Sequence, residues 1–399
     1  MMSNARRLIG ILAFTQIASW GSLYYAFSIV APAIAHDLAL GNELVYGAFS
    51  WSLLVAGVAS APVGMLLDRL GGRPVMAAGS VACGTGLLWL SVCGSVASYY
   101  GAWTLLGLAM TLTLYEAAFA TINRQLAAGG RQAISTVTLF GGFASTLFWP
   151  LTWYLSTATG WRGAYLWFGI IQLAICLPLH LLLGRDTPMA TGSGHGGVRS
   201  HTLGEALRHG AFWKLAMAFA ANTFIFSALS VHLLPLLKEY GHTAKFAVLL
   251  LTLIGPMQVV GRVLERTVAS HVSPRTIGKF TFAGLPAALL ALVLFGGHGW
   301  AAALFCVLYG LSNGVLTIVR GTIPQELFGR ENYGAISGAM AGPSLLSKAA
   351  GPLAAAMFMR AIPAPSALVL LLLGCALTSL AFYFAAIKPG KPSGMAAAV

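Results

Sequence analysis

The chain has 399 residues, 58% of them hydrophobic and only 8% charged, with a formal net charge of +13. A water-soluble protein of this size carries roughly 25% charged residues, so the composition excludes an ordinary soluble fold and predicts a surface that faces lipid. Apolar runs of about 20 residues recur along the chain and read as transmembrane helices, and nothing alternates with the period of a barrel strand.

Predicted helix 1 covers Leu8 to Ala35 and carries Gln16, Ser19, Trp20, Ser22, Tyr24 and Tyr25. It follows Arg6-Arg7 but is too long for a signal-peptide core, so it is read as a first span. Helix 2 (Leu44 to Leu67) is rich in Gly, Ala and Ser, which suits close helix packing. Helices 3 (Pro74 to Cys93) and 4 (Tyr99 to Ile122, containing Glu116) follow, then helix 5 (Ala133 to Leu155) with Gly141, Gly142, Ser145 and Pro150. The turn Thr159-Gly160-Trp161-Arg162-Gly163 leads into helix 6, Ala164 to Leu183. Residues 185–211 turn polar and read as a central loop, with a short amphipathic helix near Leu203 to His209. Six further runs follow: Phe212–Leu237, Phe246–Val268, Ile277–Phe295, Ala301–Ile323, Tyr333–Met359 and Ser366–Ile387. The expected organisation is an all-α integral membrane protein of twelve helices: a six-helix bundle over 1–184, a loop over 185–211 and a second six-helix bundle over 212–399.

The basic residues outside the spans are unevenly placed. Arg6, Arg7, Arg69, Arg73, Arg124, Arg131, Arg185, Arg199, Arg208, Lys214, Arg266, Arg275, Lys279, Arg330, Lys388 and Lys391 fall in one alternate set of loops. The other set holds Arg162, Lys238, Lys245 and Arg360. That asymmetry is the positive-inside pattern; it predicts an inner-membrane protein with both termini in the cytoplasm, and reads the net charge as orientation rather than nucleic-acid binding. Cys83, Cys93, Cys176, Cys306 and Cys375 lie singly in apolar runs, so neither a disulfide frame nor a zinc site is expected. No metal-ligand spacing, nucleophile elbow or P-loop occurs. No enzyme, metal or cofactor is therefore expected, and ion gradients rather than ATP would drive the protein.

The stretch Gly64-Met65-Leu66-Leu67-Asp68-Arg69-Leu70-Gly71-Gly72-Arg73 sits between two apolar runs. It resembles the loop 2–3 signature of the major facilitator superfamily, G-x-L-x-D-R-x-G-R-R, matched at Gly64, Leu66, Asp68, Arg69, Gly71 and Arg73. Gly72 departs from it, standing where the family has a basic residue. The resemblance implies two parallel six-helix halves that rock about a midplane site, and a self-sufficient monomer. It also implies a gate in which Asp68 with Arg69, Arg73 and Arg124 latches the halves, with Gly64 allowing close backbone approach. The halves show internal likeness. Ala133-Ile134-Ser135 opens helix 5 and Ala335-Ile336-Ser337 opens helix 11; Pro150-Leu151 and Pro352-Leu353 follow at the same interval. That register aligns Ser145 with Ser347 and Thr146 with Lys348. Gly261-Arg262-Val263-Leu264-Glu265-Arg266 repeats the G-x-x-x-acid-R spacing after helix 8, which places Glu265 and Arg266 in a second gate. A second register matches Gly261-Arg262 with the helix 8 Gly-Arg of oxalate/formate antiporters and monocarboxylate porters; both registers stay open.

Lys348, mid-helix in an apolar run, is too deep to snorkel, so substrate binding is its default reading, against a structural ammonium on helix carbonyls. Arg262 is either a second, forked donor for a carboxylate or a loop charge. Glu116 is either a proton carrier or a gating partner for Arg124, Arg131 or Arg320. Arg320 is assigned to the gate with Glu326 and Glu331. Trp20, Tyr24, Tyr25, Trp149 and Trp153 line a cavity or sit at the membrane interface. His180 and His232 are read as polar helix-end residues. The motif around Trp20, Tyr24 and Tyr25, with Arg262 and Lys348, resembles the monocarboxylate and oxalate/formate branch, although the Asp usual at the start of helix 1 is absent and Thr15-Gln16 stand nearby. The expected function is proton-coupled transport of a small organic anion, such as a monocarboxylate, by alternating access. The alternatives are efflux of drugs, metalloids or metabolites, and a receptor or enzyme on a transporter scaffold.

Overall fold

The computed structural model describes residues 2–126, 128–184, 200–269, 271–362 and 364–388. Arg185, Arg199 and Lys391, and most of the central loop, lie outside the described residues. Among those described there is helix and no strand. Ten segments are long and apolar enough to cross a membrane. One of them, Gly130–Leu181, is two helices in line, divided at Gly160, whose φ of 74° breaks the helical path. A further long helix, Tyr333–Ala361, is less apolar because Gly, Ser, Pro, Lys348 and Arg360 dilute its side chains. Twelve spans result.

We number them in chain order: α1 Asn4–Asp37, α2 Asn42–Leu70, α3 Gly72–Val92, α4 Val96–Gln125, α5 130–159, α6 161–181, α7 Gly210–Glu239, α8 Ala244–Thr267, α9 Pro274–Phe295, α10 Gly299–Phe328, α11 Tyr333–Ala361 and α12 Pro365–Ile387. An even number of crossings brings both chain ends to one face of the bundle, called here the terminal face. Between α6 and α7 a short helix, Leu203–Arg208, is held by a capping box, in which Thr202 and Glu205 each accept the other's backbone N–H.

Each half has its own apolar packing. Leu23, Phe27, Leu87, Trp103, Tyr165 and Phe168 form the heart of the first, and Leu229, Leu236, Leu289, Phe305 and Leu372 that of the second. The five cysteines are free, and four of them are buried.

Several of the helices are irregular. α1 opens into one π-helical turn at Gly21–Tyr25, a rare geometry that shifts the register of the side chains beyond it. α4 breaks at Leu114, whose ψ of −164° is extended, and resumes at Tyr115. The Thr113 carbonyl lies at this break and accepts a 2.6 Å hydrogen bond from Gln16 Nε2, so the break is held in place from α1.

Where the halves meet, α2 lies against α11. A Cβ on Gly64 would sit 2.0 Å from the carbonyl oxygen of Gly334, and one on Gly338 would sit 2.2 Å from that of Ser60. No side chain fits between these backbones, so the stripe of small residues in α2 serves helix contact.

Candidate substrate cavity and gate

The residues of the candidate gate lie at the terminal face. Asp68, at the end of α2, crosses to the other half and caps α11: its two carboxylate oxygens accept from Gly334 N–H at 2.9 Å and Ala335 N–H at 2.7 Å. A carboxylate on the exposed amides of a helix N-terminus is a favourable pairing of charge and dipole. Arg124 donates to the Asp68 main-chain carbonyl. The latch expected of Arg69 and Arg73 is not formed: both side chains are exposed and bond to no described residue. Gly71 has φ of 85°, as the turn requires. Gly72, the departure from the family signature, has a physical reason: a Cβ there would lie 2.1 Å from Thr121 Oγ1.

The second half answers with its own latch. Glu265 is buried, accepting from Ser135 Oγ at 2.5 Å and from Arg131 Nε at 2.8 Å. Arg131 spends its remaining donors on the carbonyls of Ala269 (2.8 Å) and Val272 (2.6 Å), just past the end of α8. Arg266 donates to Thr136. The two sequence repeats thus dock crosswise: the acid that ends α2 meets the Ala-Ile-Ser opening of α11, and the acid that ends α8 meets that of α5. Sequence reasoning misses the partners Arg131 and Ser135, though the repeated opening is the signal for them. Arg330 adds a further tie, donating to the Leu126 carbonyl at 2.6 Å.

Beyond the gate lies a cavity of about 1200 Å³. It reaches the opposite face along α8, where Val248, one turn from that helix's start, lines it and is 49% exposed. The cavity therefore extends from the docked helix ends at the terminal face to within one turn of the opposite end of α8.

Lys348, Arg262, Trp20, Tyr24, Tyr25 and Glu116 all line this one cavity. The Lys348 Nζ sits 3.9 Å from the centroid of the Tyr24 ring and 5.4 Å from that of Trp20. A cation on aromatic faces in a desolvated site gains about 2 kcal/mol. No carboxylate pairs with it among the described residues. The aromatic side chains brace each other: Trp20 packs on Tyr24 at 5.6 Å and on Tyr115 at 5.1 Å, and Tyr25 packs on Trp149 at 6.0 Å. The π-helical turn of α1 carries Tyr24 and Tyr25.

Arg262 is not a loop charge. It is only 6% exposed and its Nε donates to the Gly314 carbonyl at 3.4 Å. Its guanidinium packs against Gly142 of α5, where a Cβ would meet Nη1 at 2.1 Å. The Nη1 atom has no hydrogen-bond partner. The deeper of the two registers describes Arg262, while Glu265, one turn on, bonds Arg131 and Ser135 at the terminal face.

Arg320 departs from expectation. It forms no pair with Glu326 or Glu331; Glu326 instead meets Arg275 at 2.9 Å, and Glu331 is exposed. Arg320 lines the cavity, donates to Thr223 Oγ1 at 2.7 Å and lies 5.5 Å from the Phe219 ring centroid. The wall thus carries three cations, Lys348, Arg262 and Arg320, and a single carboxylate, Glu116. Of the partners weighed for Glu116, Arg131 is paired with Glu265, and Arg320 shares the cavity wall with it.

Among the remaining candidates, Trp149 lines the cavity and Trp153 is 62% exposed on the outer surface. His180 is buried against Ser80 Oγ at 2.7 Å, and His232 meets the Pro352 carbonyl at 3.0 Å, both bland polar roles. Thr146 and Lys348, aligned by the internal repeat, both face the cavity, whereas Ser145 lines it and Ser347 does not.

The model of the Major Facilitator Superfamily matches residues 11–352. Among curated proteins, monocarboxylate transporter 13 of Rattus norvegicus is 27% identical over 278 residues, covering 67% of this chain and 62% of the relative. Monocarboxylate transporter 4 of Rattus norvegicus is 24% identical over 333 residues, covering 78% of this chain and 68% of the relative. The chain thus spans 62% of the length of the first of these relatives. Among solved structures, the proton:xylose symporter XylE superposes with a TM-score of 0.77 at 13% identity, over 96% of each chain. The human organic anion transporter MFSD10 superposes with a TM-score of 0.70 at 17% identity, over 95% of this chain and 99% of that one. The family match covers most of the chain, which is a multi-pass membrane protein and belongs to the major facilitator superfamily.

Proposed function

We propose that the protein carries small organic anions, of the monocarboxylate class, across the membrane by alternating access and together with protons. The observation that carries this reading is the charge of the cavity wall: Lys348, Arg262 and Arg320 against the single Glu116. Such a wall attracts anions and opposes cations before any contact is made. Arg262 offers a planar fork to a carboxylate and Lys348 a mobile point charge, while Trp20, Tyr24 and Tyr25 pack on the substrate's apolar body. The names of the curated relatives support the same class. Glu116, as the lone carboxylate of the wall, is the natural proton carrier. Gly64, Asp68, Arg124, Glu265 and Arg266 form the gate, and Arg320 belongs with the cavity.

The loop asymmetry in basic residues supports an inner-membrane orientation with both termini in the cytoplasm; on the proposed reading the protein acts as a monomer with 1–184 and 212–399 as its two moving units. On that orientation the structure is an outward-open state. Alternating access then requires the terminal-face latches to break as the opposite face closes, with the substrate binding the closing state more tightly than the open one.

Efflux of drugs or metabolites is the second reading, favoured by the aromatic wall of Trp20, Tyr24, Tyr25, Tyr115 and Trp149. Proteoliposomes loaded with a pH-sensitive dye and challenged with a panel of monocarboxylates and dicarboxylates separate the two. Acidification elicited by one acid supports the anion carrier. Silence with every acid, alongside pH-dependent movement of a neutral or cationic compound, establishes the efflux reading.

A further inference from the structure

Three cations around one cavity pose a problem for an empty carrier. When the halves close the outer mouth, water leaves the wall. Unpaired cations in a dehydrated site cost several kcal/mol each. A bound anion relieves that cost on the loaded stroke, but nothing external does so on the return.

Glu116 is placed to do it. It lies nine residues before the end of α4 and Arg320 eight residues before the end of α10, which sets both about 12 to 14 Å from the terminal face. Phe119, three residues after Glu116 and so on the same helix face, packs on Gly321, the residue after Arg320. Its ring carbons lie 2.8 and 2.9 Å from where a Gly321 Cβ would sit. α4 and α10 belong to different halves, so the carboxylate and the guanidinium line the cavity from opposite sides of the seam between them. Glu116 shares the cavity wall with Arg320 from α10, Lys348 from α11, Arg262 from α8 and Tyr115 from its own helix, and Tyr333 of α11 lies within electrostatic reach. In this open state the pair is unmade: no cation lies within 4.0 Å of Glu116 among the described residues, and Arg320 rests on Thr223.

We propose that Glu116 is the carrier's built-in counter-ion, pairing with Arg320 when the empty protein closes and so permitting net transport rather than obligatory exchange. The inference rests on the anion-carrier reading. A substrate anion and the Glu116 carboxylate then compete for the same cations. With the anion bound, Glu116 crosses with its proton; without it, Glu116 crosses as the anion.

The first test compares two fluxes of radiolabelled lactate or benzoate in proteoliposomes: net uptake into anion-free vesicles, and exchange against the same anion inside. Glu116→Gln, which keeps the shape and loses the charge, is expected to lower net uptake at least about tenfold relative to exchange. Glu116→Asp is expected to restore the wild-type ratio. An unchanged ratio in Glu116→Gln overturns the proposal. The second test needs no flux. Spin labels at Ala39 and Lys245, exposed on opposite sides of the outer mouth, are attached in a background without native cysteines. Anion-free wild type is expected to show a long and a short separation. Glu116→Gln is expected to show the long one alone, regaining the short one when lactate or benzoate is added. A short population in anion-free Glu116→Gln overturns the counter-ion. Wild type without flux of any anion, but with these label distances, overturns the anion reading instead.

Discussion

The gate and the cavity are built from the same two halves on opposite plans. At the gate the halves mirror each other: Asp68 caps α11 from α2, and Glu265 grips α5 from α8. In the cavity they diverge. The first half supplies Trp20, Tyr24, Tyr25, Tyr115 and Glu116, and the second supplies all three cations. Thr146 and Lys348 occupy matching places in the internal repeat, yet only one is charged. On the proposed function, symmetry serves a movement that must run both ways and asymmetry serves a substrate that has two different ends.

The latches themselves differ in kind. Asp68 binds backbone amides, which among substitutions only proline removes, while Glu265 relies on the Arg131 and Ser135 side chains. Breaking the symmetric part should have the largest effect. Gly64→Val places atoms where the Gly334 carbonyl already lies, so the terminal face cannot seal, and substrate uptake should fall more than about 100-fold with the protein still folded, as read by uptake and by size-exclusion profile. Next, moving the cation to the symmetric position tests the asymmetry directly. Thr146→Lys combined with Lys348→Thr should remain at least about 30-fold below wild type, since it takes the cation off the Trp20 and Tyr24 faces that hold it at position 348. Restored uptake would mean that charge alone matters.

Comparing the latches gives a smaller effect. Glu265→Gln loses a charged hydrogen-bond pair worth roughly 1.5–3 kcal/mol, and should shift the conformational equilibrium toward the opposite state by about tenfold or more. Single-molecule distance measurements across the terminal face would show this. Asp68→Asn keeps an acceptor for one amide and should shift it less. Smallest of all, Tyr24→Phe keeps the ring beneath Lys348 and should alter uptake by less than about twofold, whereas Tyr24→Leu removes the ring and should lower apparent affinity about tenfold.

Much of the architecture is legible in the sequence because apolar runs of spanning length are hard to mistake, and Lys348 stands out as a charge in the middle of one. The features that sequence does not reveal have physical causes. Hydropathy ends helix 10 at Ile323 and so assigns Arg320 to the gate; the helix continues to Phe328, which carries Arg320 more than two turns inward. The depth of Arg262 depends on where its side chain points, which spacing along one helix does not determine. The break at Leu114 has no glycine or proline to announce it and depends on Gln16 from another helix. The π-helical turn that presents Tyr24 and Tyr25 is likewise a property of packing against α6, where Gln172 Nε2 donates to Ser22 Oγ at 3.0 Å. Arg69 and Arg73, matched to a family signature, form no latch in this state.

The central claim is that the cavity recognises negative charge through Lys348. Uptake of radiolabelled lactate and benzoate should be measured in proteoliposomes containing wild type, Lys348→Arg or Lys348→Ala, at matched protein incorporation. The account predicts uptake by wild type, partial uptake by Lys348→Arg, and a loss of at least about 100-fold in Lys348→Ala. Undiminished uptake by Lys348→Ala would contradict it.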